Sequence, residues 1–114
     1  MRRSLKTCAG DWVEMYKLRY LPLFENDLYE ATSYIANVLN NPQAAERLLK
    51  ETEKAISERL KMPLSFEPFH SVKERKDVYY RIYVGNYTVF YVVIGDVMEV
   101  RRFVYSGRDF DRLL

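Results

Sequence analysis

The stretch VYYRIYVGNYTVFYVVIGDVMEVRRFVY, residues 78–105, limits what this chain can fold into more than any other. Its density of Val, Ile, Tyr and Phe suits a pleated, half-buried surface. Two breaks, Gly85-Asn86 and Gly95-Asp96, divide it into segments 78–84, 87–94 and 97–105. Gly beside Asn or Asp supplies the positive-φ positions that tight hairpin turns need. The middle segment is apolar at both parities (Val89, Phe90, Tyr91, Val92, Val93, Ile94), so it is expected to be central and covered on at least one face. Arg81, Arg101 and Arg102 lie on the flanking segments. The expectation is an antiparallel meander with basic rims.

The segments before the meander predict what packs on it. Residues 16–21 alternate Tyr16, Leu18, Tyr20 with Lys17, Arg19, a half-buried strand pattern. Pro22 closes that strand and can open a helix. Phe24, Leu28, Ala31, Ile35 and Val38/Leu39 then recur at helical spacing, with Glu25 and Asp27 near the start, where the helix dipole favours acids. Asn40-Asn41-Pro42 stops this helix and starts another, with Asn41 as N-cap and Pro42 in the first turn. Ala44/Ala45, Leu48/Leu49, Thr52, Ala55/Ile56 and Leu60 form its apolar stripe, and Pro63 ends it. The predicted architecture is α+β, in the order β-α-α-β-β-β: an antiparallel twisted sheet packed by an N-terminal helical hairpin, with a short C-terminal tail or helix.

The 114 residues suffice for one domain with one core. Residues 1–14 read as an N-terminal extension and 15–114 as the domain, with Met15 an alternative start or the extension an ordered arm anchored by Trp12. A net charge of +2 is too mild to announce a nucleic-acid binder. Lone Cys8 cannot form an internal disulfide, in keeping with a reducing, cytoplasmic setting. The uncharged run 82–94 is too short and strand-like to span a bilayer, and the basic start lacks the apolar core of a signal peptide. His70 reads as a loop histidine, and with no second His and no Cys cluster neither a metal site nor a cofactor is expected. The run Lys73-Glu74-Arg75-Lys76 reads as a solvated loop, with a phosphate-contacting patch as the sharper alternative.

Three segments carry a family resemblance: NPQAAERLLKETEKAISERLKMP (41–63), YYRIYVGNYTVFYVV (79–93) and VRRFVYSGRDFDRLL (100–114). Together, in this order and spacing, the chain resembles the RelE/ParE superfamily of toxins from bacterial type II toxin–antitoxin systems, and its long paired helices look ParE-like. The resemblance implies a growth-inhibitory, plasmid-stabilising toxin bound by a cognate antitoxin and, for ParE-like members, inhibition of DNA gyrase. The alternative is a RelE-like mRNA endonuclease acting on the ribosome; a third is a non-toxic member that only binds antitoxin.

For the endonuclease, the resemblance assigns catalysis to Arg81, Tyr105 and Arg108. Such chemistry needs the 2′-hydroxyl activated, the phosphorane charge stabilised and the leaving oxygen protonated. Several positions depart from that pattern: Thr88 stands where those enzymes carry Arg, Tyr83 where a second basic residue occurs, and Leu113-Leu114 where some end in Tyr. For antitoxin or target binding the candidates are Arg81, Tyr83, Arg101, Arg102 and Arg108. By alternation Arg102 is expected on the face of Met98, Val100 and Val104, and Arg101 on the other face with Glu99, solvated. An antiparallel meander leaves open edges. An acidic antitoxin strand added there and paired with Arg81, Arg102 or Arg108 would cover them. The isolated chain is accordingly expected to be poorly soluble or to form homodimers.

Overall fold

The computed structural model describes residues 3–6, 12–69, 77–107 and 110. Strands β1 (Arg3–Lys6) and β2 (Trp12–Met15) pair antiparallel with each other as a separate two-stranded sheet. The extension thus contributes strands of its own.

The rest of the chain is β3 (Lys17–Tyr20), α1 (Pro22–Ser33), α2 (Pro42–Arg59), β4 (Tyr80–Val84), β5 (Tyr87–Ile94) and β6 (Val97–Tyr105). The sheet order is β3-β6-β5-β4. The three-strand meander has the expected order, and its middle strand is central. The expectation of a wholly antiparallel sheet is corrected: β3 runs parallel to β6, with Leu18 opposite Met98 and Tyr20 opposite Val100. The helical hairpin supplies the crossover that parallel pairing requires. Gly85 (φ 57°) and Gly95 (φ 63°) make the two hairpin turns, each at the first central position.

The hairpin forms for the local reasons in its sequence. Pro22 opens α1, and Tyr20 stacks on Phe24 with ring centroids 5.3 Å apart. The end of α1 widens into a π-helical turn, Tyr34–Val38, in which the Leu39 N–H reaches the Tyr34 carbonyl. Asn40 then takes φ 53°, a left-handed conformation that Asn tolerates. The Asn41 side chain caps α2 by accepting from the Ala44 N–H at 3.1 Å, and Pro42 follows. Thr52 is fully buried within the apolar stripe, its hydroxyl satisfied by the Leu48 carbonyl at 2.7 Å.

Phe24, Leu48 and Ile56 pack against Ile82, Val89, Tyr91, Met98, Val100 and Phe103 on one face of the sheet. Burying these side chains supplies the main drive for folding. On the opposite face Phe90 is wholly buried and meets Phe69, Tyr79 and Phe110 edge to face.

Candidate partner-binding groove

Among the described residues no strand pairs with the outer side of the second half of β6. β3 covers β6 only as far as Val100, where the Leu21 N–H donates to the Val100 carbonyl at 3.0 Å. Pro22 then turns the chain into α1. At that point the β5–β6 ladder slips: Arg102 faces Phe90 while Val100 faces Tyr91, leaving Arg101 as an extra residue. A bulge of this kind returns the following side chains to the opposite face. The expected alternation is therefore corrected. Met98, Val100 and Phe103 join the helix-covered core. Arg102 and Val104 instead pair with Phe90 and Thr88 on the other face, which Arg101 shares through its contacts to Glu99 and Tyr79.

Beyond the bulge α1 approaches the open edge through Asp27. Arg102 donates to it from Nε at 2.7 Å and from Nη2 at 3.2 Å, and the Phe103 N–H donates to the same carboxylate at 3.1 Å. One acid on α1 thus satisfies an edge N–H and a guanidinium together. Past Asp27 a cleft of about 300 Å³ opens between α1 and β6. Asp27, Glu30, Ala31 and Tyr34, spaced three and four apart, present one helix face to it, while Tyr87 and Tyr105 form the sheet side. Tyr87 and Tyr105 meet at 79° with centroids 5.8 Å apart. Partial burial, with Tyr105 and Tyr34 nearby, raises the Tyr87 phenol pKa and keeps it neutral.

The other sheet edge, β4, is covered at its start by different means. Pro68 bridges Tyr80, and the Phe69 N–H takes the Tyr79 carbonyl at 2.7 Å. Arg59 of α2 donates to the Arg81 carbonyl and the Tyr91 hydroxyl, each at 2.9 Å, and lies 3.5 Å from the Phe66 ring centroid. The Tyr91 hydroxyl in turn donates to the Pro63 carbonyl at 2.6 Å. Blunting of this kind is how small sheets avoid pairing with other chains.

Those residues singled out from sequence that are described are dispersed. Arg81 is half-buried on the face away from the helices, its guanidinium 5.3 Å from the Phe69 ring and 5.8 Å from that of Tyr83. Tyr83 is exposed on the same strand. Tyr105 faces the helix side, opposite Tyr87, so Arg81 and Tyr105 lie on opposite faces with β5 between them. Thr88 is fully buried, and its hydroxyl shares a 2.8 Å hydrogen bond with that of Ser106. Arg108, His70, Cys8 and the run 73–76 lie outside the described residues.

The expectation of a solvated Arg101 is also corrected. Its Nε bonds Glu99 at 2.8 Å, Nη2 reaches Asp77 at 3.1 Å and Nη1 meets the Tyr79 hydroxyl at 3.1 Å. Burial opposes its charge, but the hydrogen bonds it donates to Tyr79 and Glu99 prevail and raise its pKa. Burial likewise pushes the Glu99 carboxyl up, yet bonds from Arg19 and Arg101 outweigh it and leave its pKa lowered. Arg101 and Arg102, candidates from sequence for antitoxin or target binding, are already paired within the fold. Asp27, Glu30, Tyr34 and Arg59 were not singled out as site residues. The 27-30-31-34 spacing was the one available signal, and it reads equally as an ordinary outer helix face. Among the described residues no three His, Cys, Asp or Glu side chains are grouped to hold a metal ion, and no helix is long and apolar enough to cross a membrane.

A helical hairpin over one face of a sheet, with β3 parallel to β6 and part of β6 unpaired among the described residues, is the fold of a ParE-type toxin. The chain belongs to the ParE family: the model of the ParE toxin of the type II toxin–antitoxin system parDE matches residues 18–110. A solved structure described as the chromosomal ParDE TA system from P. aeruginosa is similar with TM-score 0.65 at 13% identity, covering 80% of this chain and 96% of that one. The RelB-RelE antitoxin-toxin complex from Methanococcus jannaschii gives TM-score 0.48 at 22% identity, with coverage of 84% and 99%. No curated protein sequence matches the chain significantly.

Proposed function

We propose that this protein is a growth-inhibitory toxin that acts by binding a macromolecular target, with DNA gyrase the target that its ParE membership suggests. A cognate antitoxin silences it by adding an extended segment along the open half of β6. The observation that carries the reading is the dispersal of the charged groups among the described residues. A phosphoryl-cleaving site needs cations and a proton donor converging on one phosphate. Arg81 and Tyr105 occupy opposite faces, and Arg101 and Arg102 are held by Glu99, Asp77 and Asp27. Thr88 brings no charge to the sheet centre. Binding needs no such convergence, and a strand edge with unpaired backbone groups is a ready template for strand addition.

The test is inducible expression of the chain in a bacterium, with RNA 5′ ends sequenced and plasmid supercoiling measured within minutes of arrest. Arrest with intact messages and altered supercoiling supports the proposal. Arrest with new codon-phased cuts overturns it in favour of the mRNA endonuclease and redirects attention to Arg81, Tyr105 and Arg108. Normal growth of cells that contain the folded chain overturns toxicity itself.

A further inference from the structure

The cleft beside the open β6 edge has a chemistry of its own. Its walls are aromatic: Tyr87 and Tyr105 meet at 79°, and Tyr34, half exposed, closes the helix side. Tyr87 stacks on Phe103 with centroids 4.7 Å apart and meets Tyr105 edge to face, so these rings form one fixed aromatic wall, and tyrosine rings are surfaces on which an organic cation is favoured. Its charge is acidic. Asp27 and Arg102 neutralise each other at 2.7 Å, and Glu30, one helical turn on, has no basic partner among the described residues. A cation entering here meets an aromatic lining and the Glu30 carboxylate; an anion meets the same carboxylate and is repelled.

The backbone beside the cleft fixes how such a group arrives. The Phe103 N–H points away from β5, toward α1, where Asp27 takes it. By alternation Tyr105 points its backbone groups the same way, and no strand covers them among the described residues. A chain laid along this edge would bond there in extended form and project alternate side chains toward the cleft.

We propose that the cleft is a specificity pocket for a basic side chain, Arg or Lys, carried by the extended segment that pairs with β6. The cation sits between Tyr34, Tyr87 and Tyr105 and is paired with Glu30. This inference rests on the docking of the antitoxin at the β6 edge, and it names what that segment presents. It reverses the expectation that the partner offers acids to Arg102, because Asp27 already occupies that guanidinium.

The test uses the whole chain, isotope-labelled, and three blocked heptapeptides of alternating Thr and Val whose central residue is Arg, Gln or Glu. Binding is followed by NMR through the Tyr105 amide and the Tyr34 ring. The Arg peptide is expected to bind about tenfold more tightly than the Gln peptide. Glu30→Gln, an exposed helix substitution, is expected to remove most of that difference while leaving the Gln peptide unchanged. Equal affinity of the Arg and Gln peptides, or tightest binding of the Glu peptide, overturns the cation pocket while leaving edge docking intact. No shift at Tyr105 with any peptide overturns edge docking and the pocket with it.

Discussion

Asp27 and Arg102 lie 75 residues apart in sequence, yet the Arg102 guanidinium grips the Asp27 carboxylate with two nitrogens, at 2.7 and 3.2 Å. The same carboxylate accepts the Phe103 N–H at 3.1 Å. The pair joins the first helix to the last strand where β3 no longer covers that strand. It therefore closes the sheet edge locally and also forms the inner wall of the groove. Stability and partner recognition meet in one carboxylate.

Asp27→Ala takes one acceptor from a part-buried guanidinium and from an edge N–H together. The expected loss is roughly 2–3 kcal/mol, less than for a fully buried pair because Arg102 keeps some contact with water. Asp27→Asn keeps an acceptor for Phe103 and should lose about half as much. Urea unfolding of Asp27→Ala, Arg102→Leu and the double variant checks this, and the double-mutant cycle should show favourable coupling of roughly 1–3 kcal/mol. Additive effects would show that the two side chains contribute independently.

Glu99 makes stability depend on acid pH. Its folded pKa is lowered because bonds from Arg19 and Arg101 outweigh the penalty of burial. The unfolded carboxyl titrates near its ordinary value, about 4.3, so the unfolded chain takes up the proton first. The stabilisation is thus fully present above that value and is lost as pH falls through the folded pKa. Urea midpoints should drop steeply on acidification below about pH 4.3, and Glu99→Gln should flatten the curve in that window while lowering stability at neutral pH. An unchanged slope in Glu99→Gln would assign the acid sensitivity to other carboxylates.

These two contacts also mark where sequence reading reaches its limit. The turns at Gly85 and Gly95, the N-cap at Asn41 and the central strand β5 were all legible, because each depends on a few adjacent residues. The parallel pairing of β3 with β6 was not. A four-residue alternating strand such as KLRY carries no mark of its partner's direction, which is set by the crossover through both helices. The bulge at Arg101 was invisible for a related reason: either alternation of VMEVRRFVY buries apolar residues, so nothing local reports a one-residue slip. That slip moved Arg102 off the face counted for it. Arg59 looked like one charge among many on α2, and only the fold sets it against the β4 edge.

Arg59→Ala removes two hydrogen bonds and the stack on Phe66, leaving the Arg81 carbonyl and the Tyr91 hydroxyl with one partner fewer each. The expected cost is about 2 kcal/mol. Arg59→Lys should recover only part of it, because an ammonium cannot serve both acceptors and lie flat on a ring. The β4 edge also loses its blunting group, so light scattering should show faster self-association for Arg59→Ala than for a variant equally destabilised in the core. Equal association rates would mean that Arg59 acts on stability alone.

Thr88 offers the sharpest contrast between the two superfamily activities. Endonuclease-type relatives are expected to carry Arg at this position, yet the Thr88 side chain is wholly buried and bonded to Ser106 at 2.8 Å. Restoring the cation by Thr88→Arg would force a guanidinium into closed, apolar surroundings between Phe90 and Val104. That should destabilise the fold by roughly 3 kcal/mol or more and produce no RNA cleavage. Thr88→Val keeps the shape and loses one hydrogen bond, while exposed Ser106 can turn to water, so its cost should be about 1 kcal/mol or less. Urea midpoints and RNA 5′-end sequencing on both variants separate the cases. A stable Thr88→Arg chain that cuts messages would show that the sheet face accommodates a cation and that the nuclease site lay one substitution away.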